Sequence, residues 1–480
     1  MTDRAMSDRA MTEWELVIGL EVHAELATRT KIFCSCPNQF GDEPNTNICP
    51  VCLGLPGSLP VLNRQVVELA IRLGEALHCT ISPSIFHRKN YFYPDMPKDY
   101  QVSQYDLPID SKGWLELPAG ARIGITRAHL EEDTGKSMHL GGDGRIHGSS
   151  SSLVDYNRAG VPLLEIVSEP DLGSSDDAKA YVNELRAILL ATGVSDAKME
   201  EGSMRVDANV SVRQPGQPFG TRCEIKNLNS VRSVGRAIDY EARRQIELRE
   251  AGQAIRQETR HWDEGDGRTH TLRVKEDADD YRYFPEPDLL PIVPDGPWLA
   301  RVAAELPPLP AARRARLAAA AGVEPSDRAI AIVVERDVDA VALATLDAGG
   351  VADRVLVHFE HNLAGAGDRI DPGVLATLTQ MEAKGELTPT QAKAILAEIV
   401  ADGGRGDPRA LARAKGFEAM GADALGAAVD AAIAADPAAW AKYCGGEDKA
   451  VGALVGAIMK ATRGQADGKA ITALLRERRG

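Results

Sequence analysis

No apolar stretch of this chain approaches the roughly 20 residues that a membrane-spanning helix needs, so no spanning helix and no membrane contact are expected. Residues 1–13, with their repeated Met-x-Asp-Arg-Ala, lack an apolar core. They predict a disordered lead rather than a secretory signal, with alternative starts at Met6 or Met11, and hence a cytoplasmic protein. Net positive charge is missing too. The 55 Lys and Arg face 70 Asp and Glu, a formal charge of −15, which excludes a generally basic nucleic-acid coat but not a local basic patch. The common nucleotide motifs are absent. Gly135-Lys136-Ser137 ends like a P-loop, but Leu130 stands where its first glycine is required. Gly142-Asp143-Gly144 fails as a dinucleotide fingerprint because His147 holds the third glycine position, and it predicts a surface hairpin instead. No His-Glu-x-x-His occurs. Gly148 to Ser152 faintly resembles a serine amidase loop, but no glycine follows and a flexible loop is expected. If such a chain uses ATP, it does so through carboxylate-bound metal on a sheet.

The sequence does offer polar residues two apart in strand-like runs. Ile18 to Glu25 puts Glu21, His23 and Glu25 on one strand face, with Leu20 and Val22 on the other. Met204 to Val212 does the same with Asp207, Asn209 and Ser211, and Arg222 to Lys226 with Glu224 and Lys226. Near Ile123-Gly124-Ile125 follows Arg127 to Asp133, with His129, Glu131 and Glu132. A sheet face of this composition is either solvated or lines a cavity for a hard cation and phosphates.

Four of the seven cysteines form Cys34-x-Cys36 and Cys49-x-x-Cys52 within a loop rich in Pro, Gly and Asn. Without a secretion signal this predicts zinc rather than disulfides. Four thiolates close the tetrahedral shell, so such a zinc is structural, and Cys52 is no credible nucleophile. Cys79, Cys223 and Cys444 are expected as buried thiols.

At 480 residues the chain exceeds one core, and its 44% hydrophobic and 26% charged residues are those of a globular protein. Strand-like runs fill the part up to residue 291; helices are expected at Asp176–Thr192, capped by Ser174 or Ser175 and stopped by Gly193, and at Val231–Glu250. A proline-rich linker from Pro285 to Pro310 introduces an Ala-rich helical region, 292–405, with one helix opening at Thr388-Pro389. After Asp402 to Pro408 comes a tail, 406–480, whose residues beyond Pro408 hold eleven Lys and Arg against eight Asp and Glu. Its end, Lys460 to Arg479, is either a solvated helix face or an RNA contact. The expected class is α+β: a mainly antiparallel sheet domain over 14–291, then two all-α domains.

Val154-Asp155-Tyr156-Asn157-Arg158-Ala159-Gly160-Val161-Pro162-Leu163-Leu164-Glu165-Ile166-Val167-Ser168-Glu169-Pro170-Asp171 resembles the signature of the B subunit of bacterial aspartyl/glutamyl-tRNA amidotransferases. So do Ile18–His23, Arg88–Asp95, Lys198–Ser203, Lys226–Ser230 and Asp279–Asp288, in the family's order, and Gly456–Ala461 is similar to its tail. The cysteine cluster resembles the zinc-bearing members. The resemblance implies a ligase subunit that phosphorylates the side-chain carboxylate of mischarged Glu-tRNA(Gln) or Asp-tRNA(Asn) with ATP and Mg²⁺. Ammonia from a glutaminase partner, the A subunit, then completes the amide, in a complex that includes a C subunit. It also implies an N-terminal domain similar to the glutamine synthetase/guanido kinase fold, with residues 406–480 touching the tRNA. By the same resemblance Glu21, His23, Glu131 or Glu132, Asp207 and Glu224 form the Mg²⁺ and nucleotide set, and Lys89 and Lys226 neutralise phosphate. Lys89 alternatively packs on a ring of Tyr91-Phe92-Tyr93. Asn157 and Arg158 contact substrate or hold the loop; Glu165 and Glu169 are site carboxylates or helix caps. A non-catalytic zinc-containing RNA-binding protein and a metal-dependent hydrolase are the rival classes, the latter disfavoured by a closed four-thiolate site.

Overall fold

The structure, a computed structural model, describes residues 13–141, 149–274, 281–417, 422–462, 466 and 468–479. The predicted lead up to Glu13, the turn at Gly142-Asp143-Gly144, and Asp279-Asp280 lie outside them or at their edge. Contacts divide the chain into two units, Met1–Ala311 and Ala312–Gly480.

The first unit is a large sheet backed by helices. Its strands are β1 (Glu15–Glu25), β2 (Thr80–Ile81), β3 (His87–Asn90), β4 (Tyr100–Ser103), β5 (Asp110–Glu116) and β6 (Arg122–Glu132). β7 (Lys136–Leu140) and β8 (Ser151–Asp155) form a separate hairpin. Then follow β9 (Pro162–Ser168), β10 (Met204–Arg213), β11 (Cys223–Leu228), β12 (Glu258–Asp263), β13 (Arg268–Val274) and β14 (Phe284–Pro285). The main sheet runs β13-β12-β11-β10-β1-β9-β6-β4-β3-β14, with β5 joined to β6 and β2. Pairing is antiparallel except for β11 with β12.

Period-two alternation sets the two faces. Along β1, Ile18, Leu20, Val22 and Ala24 are wholly buried in an apolar core, while Glu21, His23 and Glu25 face the other way. Helices Arg64–Ala76, Ser175–Ala191 and Val231–Glu250 cover the apolar side. The second begins at Ser174, whose hydroxyl accepts from the Asp177 amide, buries Tyr181, Leu185, Ile188 and Leu189, and is followed by Gly193 at φ +66°.

The first unit extends past the predicted boundary at 291. Helix Gly296–Ala304 packs on helix Arg64–Ala76, buries Val302 in the sheet core, and is tied to it by Arg301–Glu68 at 2.8 Å. The second unit is helical throughout its described residues and holds two apolar clusters. Thr388 and Gln391 form the capping box of helix Pro389–Ala401. The second predicted boundary also moves. Helix Pro408–Ala414 buries Ala412 with Ile399 in the first cluster, and the last cluster starts only at Leu425. Cys444, expected buried, is exposed, and no described helix is long and apolar enough to cross a membrane.

Candidate active site on the polar face of the sheet

The polar face of β1 is the floor of a cavity of about 700 Å³. Strand register assembles it. Glu21 lies opposite Asp207 of β10, and His23 lies opposite both Arg205 of β10 and Glu165 of β9. Glu165 in turn faces His129 of β6, and Asn209 of β10 faces Glu224 of β11.

Two donor sets result. One oxygen or nitrogen each from His23, Glu131 and Glu165 lie within 4.8 Å of one another, and so do oxygens of Glu21, Asp207 and Glu224. In the first set His23 Nε2 is 3.3 Å from Glu165 Oε2 and 3.9 Å from Glu131 Oε1; His129 Nε2 approaches the same carboxylates at 3.7 and 3.8 Å. In the second, Asn209 Nδ2 donates to Glu21 Oε1 at 2.8 Å, and Lys226 Nζ pairs with Asp207 at 2.5 Å and Glu224 at 3.1 Å.

Burial and crowding shift the protonation of these groups. Burial and the charges of Glu165, Glu224 and Asp207 raise Glu21 against the Asn209 hydrogen bond. Burial disfavours the His23 imidazolium, but Glu165, Glu131 and Asp207 outweigh it and lift His23 to about 9. Glu165 goes the other way: His129, His23 and Arg127 overcome burial and hold it well below the usual carboxylate range. Lys226, despite burial, is raised by Asp207 and Glu224.

Oxygen-rich sets with one imidazole suit a hard divalent cation. A buried atom agrees with this: Asn209 Oδ1, beside Glu21, has no hydrogen-bond partner. A magnesium ion at either set would be held by oxygens already gathered there.

Of the residues expected from sequence, Glu21, His23, Glu131, Asp207, Glu224, Lys89 and Lys226 all line this cavity. Glu132 does not, which resolves the open choice between Glu131 and Glu132 in favour of Glu131 as the residue at the cavity. Glu132 follows Glu131 on a strand and therefore points to the opposite face. There its carboxylate accepts from the Val102 amide at 2.8 Å and pairs with Lys98. Lys89 lines the cavity, and its ammonium sits 4.7 Å over the ring of Tyr281, which lies outside the expected Tyr91-Phe92-Tyr93 run. Glu165 is a site carboxylate; Glu169 accepts from Thr126 Oγ1 at 2.8 Å outside the cavity. Asn157 holds the cysteine loop, accepting from the Asn47 amide and donating to the Glu43 carbonyl. Arg158 donates to the Thr134 and Gly135 carbonyls and reaches the cavity beside Asp133, to which Arg205 is paired at 2.8 Å.

Sequence reasoning misses Arg205, Arg127 and His129 as site residues. Each belongs to a quoted polar run, and Arg205 precedes Asp207 by two, the one local signal available. Stacked Tyr105 and Tyr283, 4.1 Å between centroids, complete the wall. Their sequence carries no such signal.

The sulfurs of Cys34, Cys36, Cys49 and Cys52 also lie within 4.8 Å of one another. A tetrahedral zinc with bonds of about 2.3 Å would set the sulfurs about 3.8 Å apart, and Cys49 and Cys52 are at 3.9 Å. Hydrogen bonding from Cys34 and, against burial, the Cys49 backbone and the Lys31 charge lower Cys52 to about 5. Wholly buried Lys31 donates to the carbonyls of Asn47 at 2.8 Å and Tyr156 at 3.2 Å.

Comparison with known proteins finds likeness along nearly the whole chain. The GatB/GatE catalytic domain family matches residues 16–300 and the GatB domain family residues 350–478. A protein of Frankia casuarinae, named as the B subunit of aspartyl/glutamyl-tRNA(Asn/Gln) amidotransferase, is 50% identical over 98% of this chain and 96% of its own. Proteins of the same name from Salinispora arenicola and Moorella thermoacetica are each 49% identical, over 98% and 97% of this chain and 98% and 100% of theirs. The chain belongs to the family of aspartyl/glutamyl-tRNA(Asn/Gln) amidotransferase B subunits.

Proposed function

We propose that this chain is the kinase and transamidase subunit of an ATP-dependent carbon–nitrogen ligase. It phosphorylates the side-chain carboxylate of mischarged Glu-tRNA(Gln) or Asp-tRNA(Asn), then amidates it with ammonia released by a glutaminase partner, the A subunit; the complex also holds a C subunit. The observation that carries this reading is one cavity in which two donor sets suited to a divalent cation adjoin Lys226 and Lys89.

A carboxylate is a poor electrophile. Its oxygen attacks the γ-phosphorus of ATP, the bond to the bridging oxygen breaks, and ADP leaves with the electron pair. Ammonia then attacks the acyl carbon, phosphate leaves and a proton is lost. Such transfer demands positioning and charge neutralisation more than covalent help from the protein. Mg²⁺ bound at the two sets would neutralise and align phosphate oxygens. Lys226 stands beside Asp207 and Glu224, and Lys89 lines the same cavity as Glu131 and Glu165. Arg205 and Arg158 add guanidiniums near Asp133. We assign the sheet unit to the glutamine synthetase/guanido kinase type, in which glutamine synthetase handles an acyl phosphate on a carboxylate-lined sheet, and zinc in a structural role to the cysteine loop.

The test uses the purified complex with mischarged tRNA, ATP and Mg²⁺, and ammonium chloride in place of glutamine. ADP release stimulated by the mischarged tRNA, with amide formed, is expected. Amide formation without ATP, or no stimulated ADP release, overturns the reading.

A further inference from the structure

Beyond the two donor sets the cavity ends in a pair of arginines around one buried carboxylate. Asp133 follows β6 directly, two residues past Glu131, and is buried. Arg205 Nη1 donates to its Oδ2 at 2.8 Å, and Arg158 Nε stands 3.5 Å from the same oxygen. The other oxygen, Oδ1, accepts from the Thr134 amide at 2.8 Å. Arg158 is fixed further by the Thr134 and Gly135 carbonyls, at 3.0 and 3.1 Å. Among the described residues, Asp133 receives the one hydrogen bond that the Arg205 side chain makes. Both arginine side chains line the cavity and stay 32% and 33% exposed, so each keeps N–H groups for a ligand. Register places them. Asp207 lies opposite Glu21, and Arg205 opposite His23. Two residues along a strand span about 7 Å. Arg205, drawn to Asp133 beyond Glu131, therefore borders the His23 set on the side away from Glu21 and Asp207.

We propose that Arg205 and Arg158, held by Asp133, bind the side-chain carboxylate of the aminoacyl group and distinguish it from the amide that replaces it. The proposal rests on the kinase reading of the cavity and names how the acceptor is held and the product let go. The attacking oxygen must stand in line with the phosphorus, opposite the leaving ADP. Lys226 and its donor set serve the nucleotide at one end, and the arginines close the other. Planar guanidinium forks match a carboxylate, and Asp133 orients them before substrate arrives, which lowers the ordering cost of binding. A guanidinium only donates and a carboxylate only accepts, so the two pair fully. An amide turns its own N–H groups towards the same fork and leaves part of it unmet. Asp133 and, next on the polar face of β1, Glu25 offset the two positive charges, so recognition rests on directed N–H groups rather than on net charge. Asp133 is thus a positioning residue, acting through the arginines.

The measurement is equilibrium binding of tRNA(Gln), charged in turn with Glu and with Gln, to the purified complex with Mg²⁺ and a non-hydrolysable ATP analogue. The wild type should bind Glu-tRNA(Gln) about tenfold or more tighter than Gln-tRNA(Gln). Arg205→Gln should bring that ratio close to one by weakening Glu-tRNA(Gln) alone. Its unchanged affinity for Gln-tRNA(Gln) reports an intact fold and tRNA docking, which a merely structural role would disturb. Arg205→Lys keeps the charge, loses the fork and should recover only part of the ratio. Asp133→Asn should also lower the ratio, because the forks are no longer aligned. A wild-type ratio near one overturns the proposal. So does the wild-type ratio kept in Arg205→Gln or, should that variant not fold, in Arg205→Lys. These results leave the kinase reading standing; it fails instead if the wild type releases no ADP in response to mischarged tRNA.

Discussion

Asp110 is wholly buried, both its carboxylate oxygens lack partners, and Oδ1 is close enough to Gly74 that a Cβ there would come within 2.2 Å. Burial, with Glu75 nearby, raises its pKa well above the ordinary value. A group raised in the fold contributes stability fully present below its unfolded pKa, about 3.9, and lost as pH rises towards its folded value. Asp110→Asn should therefore flatten the decline in stability above about pH 4 and raise it at neutral pH by on the order of 1 kcal/mol. Denaturant unfolding at several pH values checks this; a parallel pH profile for both proteins would show that Asp110 is ionised in the fold. At the site, His23→Ala or Asp207→Ala should lower amide formation by at least about a hundredfold, while tRNA binding and the glutaminase partner's hydrolysis of glutamine change little. Transamidation assays on both variants decide it, and normal turnover in either removes that residue from the cation sets. Spacing of two made His23 and Asp207 legible in the sequence. It made Glu165 legible only as an open choice, because Glu165 interrupts an apolar strand, Pro162–Ser168, and its partner His23 lies in a strand remote in sequence.

Secondary-structure elements carry two further consequences. Gly74 sits inside helix Arg64–Ala76, where alanine is the better helix former by about 1 kcal/mol. The Asp110 side chain leaves no room for a methyl, and overpacking a core costs about 1–3 kcal/mol, so Gly74→Ala should be destabilising on balance. A thermal melt showing stabilisation would mean that the strand carrying Asp110 shifts freely. In the cysteine loop, Cys52→Ser should lose zinc and loosen the segment from Cys34 to Cys52, with stability affected more than chemistry. Metal analysis together with limited proteolysis reads both effects. Full stability with no zinc in the wild type would mean that the reduced thiols suffice. Element bounds were most legible where caps are local: Ser174 and Thr388 each accept from a backbone amide at the start of the helix they were expected to open, and Ser230, not singled out in the sequence, does the same before Val231–Glu250.

At the scale of the whole molecule, the third apolar cluster, Leu425 to Leu475, defines the separable tail. A truncation should therefore begin after Phe417, since removing the helix from Pro408 would expose the first helical cluster. Lys460 and Arg476 are exposed; Arg478 is paired with Asp430 at 3.0 Å and Arg479 stacks on Tyr443, while Arg463 and Asp467 lie outside the described residues. The truncated complex should show a raised KM for tRNA, a shallower salt dependence and turnover largely kept at saturating tRNA. tRNA titrations at two salt concentrations test it, and equal affinity at both would make this a solvated face. Periodicity, caps and cysteine spacing determined the helices just named, the polar faces of β1, β10 and β11, and the sulfur cluster, because alternation, capping and loop chelation act over a few residues. Tertiary structure alone decided that Glu131 enters the cavity while Glu132 pairs with Lys98, and that Glu165 meets His23. It also decided that helix Gly296–Ala304 belongs to the sheet unit. These depend on which strands are neighbours, in which register, and which apolar side finds a partner, and chain segments from 34 to 233 residues apart settle such matters only on folding.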